Sequence, residues 1–240
     1  MRSKNLKWLK GATMQANAQK YQGIKEWSAS MRINHWAVAF SIFMLIATGF
    51  YIADPFTISA GETGNKFFMG NVRFVHILFG AFLIFLTIWR LYMAFFSRFH
   101  ADWRDFMAWT DLKAMVAQIK FYLLISEHPE KKYLYGPMQA LAYIGCWAMV
   151  VVVIITGLIL MGAGYHAGLT SVAAFVLKPI ENLLGGLAVV RYIHHVFTWL
   201  FILFIVAHIY MAFWYDAVLK EGTISSMIGG RVYKKIKEKD

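Results

Sequence analysis

Residues 191–210 read RYIHHVFTWLFILFIVAHIY, an apolar run of helix length with histidines near its two ends, His194 and His208. At about 100° per residue, fourteen steps return to within roughly 40° of the starting direction, so both imidazoles leave one face of the helix. The rise between them is about 21 Å, most of the ~30 Å thickness of a bilayer's hydrocarbon core. Ionisable groups are costly at such depth unless they serve a function. Coordinating haem iron is one function an imidazole can serve there.

The rest of the chain fits a membrane setting. Of 240 residues, 59% are hydrophobic and only 15% charged, where soluble domains carry about 25%. The net charge is +11. Its basic residues lie between the apolar runs rather than along one reading face, which argues against nucleic acid as a partner. A single cysteine, Cys146, excludes a disulfide framework, a cysteine-rich iron–sulfur site and the CxxCH attachment of c-type haem. Any haem is therefore expected to be held non-covalently. The first twenty residues lack the apolar core of a cleaved signal peptide and read as a basic tail kept on the side of synthesis.

Four stretches are long and apolar enough to span, at about 35–53, 74–96, 135–161 and 192–215. The expected fold is an all-α, four-transmembrane-helix bundle in a single domain, with basic tails over 1–34 and 216–240. Arg90, near the end of the second span, is expected to snorkel to the interface. A fifth apolar patch, 169–190, is interrupted by Lys178, Pro179 and Glu181 and reads as an extramembrane loop with a short surface helix. Apart from Arg90, nineteen Lys and Arg lie in the two tails and the middle loop, against four in the other two loops. The positive-inside rule then puts both termini and the middle loop in the cytoplasm. Within that loop Met107, Leu112, Met115, Val116, Ile119, Tyr122 and Leu123 recur at helical spacing, as in an amphipathic helix lying on the cytoplasmic membrane face.

Depth sorts the eight histidines. His76 and His194 open spans two and four at the outer level, and His35 and His208 lie at the inner level. This is the arrangement two stacked bis-histidine haems require, His76 with His194 outside and His35 with His208 inside. A lone histidine at a helix end is commonly interfacial, but four paired by level are not accounted for that way. His195 points about 100° away from His194 and is expected to hydrogen-bond or line the haem edge. Arg73 and Arg191, one turn before the outer histidines, are placed to pair with haem propionates, or simply to anchor at the interface. His100, His128 and His166 fall in loops. Gly49, Gly80 and Gly157 permit close approach of a flat macrocycle or a helix. A short internal duplication also shows. Ala47-Thr48-Gly49-Phe50 and then Arg73-Phe74-Val75-His76 in the first half match Ile155-Thr156-Gly157-Leu158 and then Arg191-Tyr192-Ile193-His194 in the second.

Arg32-Ile33-Asn34-His35-Trp36 with Thr48-Gly49, and His194-His195-Val196 with Trp199, Phe204 and His208, resemble the first- and last-helix signatures of the b-type cytochrome subunit of membrane-bound nickel–iron hydrogenases. The resemblance covers essentially the whole chain. Many relatives carry Arg where this chain has His195. The resemblance implies two haem b groups on His35, His76, His194 and His208, in a subunit of the bacterial inner membrane. It implies partnership with a hydrogenase small subunit and, through it, the large subunit, with a higher-order dimer of such complexes also open. Electrons would pass from iron–sulfur clusters through haem to menaquinone or ubiquinone, with no hydrogen-activating site on this chain. Quinone is expected near the inner haem, with Glu26, Tyr122 and His128 as candidate site residues, because its reduction consumes protons. The alternatives are the same scaffold serving a formate dehydrogenase or a sulfur-compound reductase, and a haem-free anchor or small transporter.

Overall fold

Ser28 starts the first long helix. Its backbone is extended and its side-chain oxygen accepts from the Met31 N–H, satisfying one of the amides a helix start leaves open. The computed structural model describes residues 21–56, 67–96, 103–129, 132–165 and 167–235. His100, His166 and Lys66 lie outside the described residues. The long helices are α1 (Ala29–Ala53), α2 (Phe68–Phe96), α4 (Pro137–Gly164) and α6 (Leu187–Leu219), and all four are long and apolar enough to cross a membrane. Each begins or ends beyond the apolar stretch that marks it. Hydropathy registers only the hydrocarbon-facing part, whereas a helix continues until its end groups are capped. Pro137 suits its place in the first turn of α4, where its missing N–H has no intrahelical partner to lose. At 1.5 Å per residue the 33 residues of α6 extend about 50 Å, so its ends project past a hydrocarbon core.

The helices pack as two pairs, α1 along α2 and α4 along α6. In the middle loop a 3₁₀ turn (Asp105–Thr110) leads into α3 (Leu112–Tyr122), capped by Asp111, whose carboxylate accepts from the Ala114 N–H at 3.0 Å. Gln118 and Phe121 of α3 are buried against the protein, while Leu112, Val116, Ile119 and Leu123 are exposed along the helix.

Three features depart from the expectations. The segment after α4 is not mainly loop: α5 (Leu169–Leu184) is a continuous helix with Pro179 inside it, packed against α4. The contact is close because Gly162 has no side chain; a Cβ there would lie 2.7 Å from the Cβ of Ala174 and 3.1 Å from its Cα. Gly162→Ala should therefore push α5 off α4 and cost about 1–3 kcal/mol, read as a lowered Tm in detergent. An unchanged Tm would mean that α5 is not held there. Gly185 and Gly186, at φ 98° and 95°, make the reversal from α5 into α6.

Arg90 is the second departure. It is 5% exposed, its guanidinium 5.3 Å from the Phe106 ring centroid, inside a cluster with Met93, Tyr135 and Tyr143. It does not snorkel, because the folded middle loop covers the end of α2.

The third is in the described parts of the two tails, 21–34 and 216–235, which are structured. β1 (Tyr21–Lys25) pairs antiparallel with β2 (Arg231–Lys235), and α7 (Thr223–Gly229) lies against the start of α1. Trp27 donates to the Ser226 hydroxyl at 3.2 Å, Trp36 to the Met227 carbonyl at 2.9 Å, and Arg32 to the Ile228 carbonyl. These bonds clamp the turn of α1 that carries His35.

Candidate functional site

Two imidazole pairs meet between the helix pairs. At the end away from the termini, the outer level, His76 of α2 and His194 of α6 have ring centroids 6.4 Å apart and planes inclined by 66°. At the inner level, nearer the termini, His35 of α1 and His208 of α6 stand 6.0 Å apart at 76°. A metal ion gripped by two imidazole nitrogens at roughly 2 Å each spaces the rings by about 6 Å. Both pairs therefore fit a shared iron.

The outer pair opens into a cavity of about 350 Å³, within the roughly 300–1,000 Å³ usual for cofactor sites. All four long helices line it, with Ile42 and Leu45 of α1, Gly80 and Ala81 of α2, Val153 and Gly157 of α4, and Phe201 of α6. An apolar slot with one imidazole from each half is what a porphyrin with two axial histidines needs. At Gly80 a Cβ would meet nothing within 4 Å, so the slot is open on that side.

His195 takes no part in either pair. Its ring lies edge-on to Phe50 at 5.6 Å, and Phe50 also meets Trp199 at 5.1 Å, so His195 packs α6 against α1. His194 is the member of the doublet that faces another histidine. Arg73 and Arg191 are exposed one turn before the outer histidines. The inner rings lie in aromatic company: His35 is stacked with Trp36 at 5.3 Å and His208 with Phe204 at 5.8 Å.

The chain belongs to the prokaryotic cytochrome b561 family. Its family model matches residues 26–230. Three relatives named as probable nickel–iron hydrogenase B-type cytochrome subunits show the extent of the likeness. That of Azotobacter vinelandii is 30% identical over 92% of this chain and 93% of its own length. That of Rhizobium leguminosarum bv. viciae is 30% identical over 89% and 90%, and the hydrogenase 1 subunit of Escherichia coli K12 is 26% identical over 84% and 87%. A b-type cytochrome holds haem b, and in this multi-pass cytochrome the two imidazole pairs and the apolar slot are suited to it.

The candidate quinone residues converge on a side chain that the sequence reading missed. Tyr215, on α6, is hydrogen-bonded to His128. The Tyr122 phenol and the Glu26 and Glu221 carboxylates lie within its electrostatic reach. Phe121 packs edge-on to His128 at 4.9 Å, and Tyr122 meets Trp214 at 5.4 Å. Gln118 donates to the Tyr122 hydroxyl at 2.8 Å, and burial holds that phenol above its usual range, so it remains a protonated donor. The available signal was periodicity: Tyr215 is seven residues beyond His208, about 20° from the same direction.

Proposed function

We propose that this chain is the membrane-anchoring dihaem cytochrome b subunit of a respiratory uptake nickel–iron hydrogenase. Its task is to take electrons from the small subunit's iron–sulfur clusters and deliver them to menaquinone or ubiquinone. The observation that carries this reading is the one helix, α6, with imidazoles at two depths, each opposed by a histidine of the other helix pair. The hydrogenase partnership is supported by the names of the relatives. Haem b, when bound, supplies a one-electron iron couple at each level.

In this reading His76 and His194 hold the outer haem and His35 and His208 the inner one. The apolar lining of the outer slot excludes water, and Arg73 and Arg191, exposed one turn before the outer histidines, would pair with the propionates. Glu26, Tyr122 and His128, gathered at Tyr215, bind quinone and supply its protons. Uptake of those protons from the cytoplasm makes turnover electrogenic. The pairing of β1 with β2 supports placing both ends on one side, and the positive-inside count supports reading that side as the cytoplasm, with the chain in a bacterial inner membrane. The exposed stripe of Leu112, Val116, Ile119 and Leu123 supports α3 resting on that membrane face.

The test is affinity purification of the tagged chain from its native membranes. Nickel and iron–sulfur protein should co-purify, and hydrogen gas alone should bring up the reduced b-type α band. A haem-bearing preparation with molybdenum or tungsten in place of nickel would transfer the scaffold to a formate dehydrogenase or sulfur-compound reductase. A preparation with no α band would leave only an anchor.

A further inference from the structure

The duplicated Thr-Gly motif meets the outer histidines in both halves. Thr48 Oγ1 lies 2.9 Å from His76 Nδ1, and Thr156 Oγ1 lies 2.8 Å from His194 Nδ1. Each hydroxyl also donates back along its own helix, Thr48 to the Met44 carbonyl at 2.6 Å and Thr156 to the Val152 carbonyl at 2.7 Å. A hydroxyl has one proton, and here the carbonyl takes it. Toward the imidazole the oxygen can then only accept, so Nδ1 must carry the ring hydrogen and Nε2 keeps the lone pair. The glycine that follows each threonine completes the seat. A Cβ at Gly49 would lie 3.3 Å from His76 Cε1, and one at Gly157 3.4 Å from His194 Cε1. The ring edge thus rests between a hydroxyl and a bare Cα. Among the described residues no side chain hydrogen-bonds the ring of His35 or His208, which are seated by Trp36 and Phe204 instead.

We propose that Thr48 and Thr156 are paired positioning residues: each fixes the tautomer and ring plane of one outer histidine so that Nε2 is presented to iron. By accepting from Nδ1–H they also strengthen the imidazole as a donor, which favours ferric iron and lowers the potential of the outer haem alone. The inference rests on His76 and His194 being that haem's ligands.

The test uses Thr48→Val and Thr156→Val, singly and together, with Thr→Ser controls, in the purified full-length cytochrome. The readouts are haem content, redox titration of each haem, and the low-spin ferric EPR signal. Valine keeps the volume but cannot accept. The double valine variant should shift the reduction equilibrium of one haem toward the ferrous state by about tenfold, some 59 mV upward for one electron. Its g-values should move, the other haem should stay unchanged, and serine should restore both. Loss of one haem in valine variants with retention in serine variants would also support the role. Unchanged potentials and spectra, an equal shift of both haems, or loss in valine and serine variants alike would overturn it. A His76→Ala protein that keeps both haems would instead sink the ligand assignment underneath.

Discussion

Replacing His208 with alanine is expected to lower haem content from two per chain to one while the outer haem stays spectroscopically intact; His76→Ala should remove the other. The reason is the pairing. Among the described histidines His208 pairs with His35 and His76 with His194, and the ligand pairs are most of a hydrocarbon core apart along α6. An axial imidazole cannot be replaced by an apolar neighbour, so the effect should be loss of a haem rather than a modest shift. Pyridine haemochromogen assay with redox titration reads the result, and size-exclusion chromatography confirms that each variant is folded. If both substitutions remove the same haem, the pairing is wrong.

Tyr215→Phe carries the second large expectation. The phenol–imidazole bond to His128 and the nearby Glu26 and Tyr122 form an assembly of protonatable groups two turns beyond His208 on its own helix face. Phenylalanine preserves the ring packing against Phe121 and Trp214 and removes only the hydroxyl. General acid groups are worth roughly 10²–10⁴ in rate, so hydrogen-dependent reduction of a quinone analogue should fall by about 10²-fold with both haems retained and reducible by dithionite. His128→Gln should fall in the same direction. Full quinone reduction in both variants would remove this cluster from the quinone site.

The features legible in the sequence were those with a local period. Apolar runs of bilayer length gave the four helices, and histidine spacing along α6, with the levels of His35 and His76, anticipated which rings would meet. What could not be read has a common cause in contacts between distant residues. The β1–β2 ribbon joins segments some two hundred residues apart, and neither strand has a hydrophobic alternation of its own. His128 became a partner only because the middle loop folds back onto the end of α6. Arg90 looked like a snorkelling side chain until that same loop covered it. Pro179 argued for a break, yet tight packing at Gly162 and Ala174 holds α5 as one helix. Thr48 and Thr156 were visible as a repeat, but a hydroxyl's partner across a helix pair is set by packing, not by sequence neighbours.

The most direct measurement is the haem content of the unaltered protein, combined with its ferric EPR spectrum. Two protoporphyrin groups per polypeptide, both low-spin with nitrogen ligands on each face, is the result expected from imidazoles that meet at two depths. One haem per chain, or a high-spin iron lacking a second histidine, would contradict it.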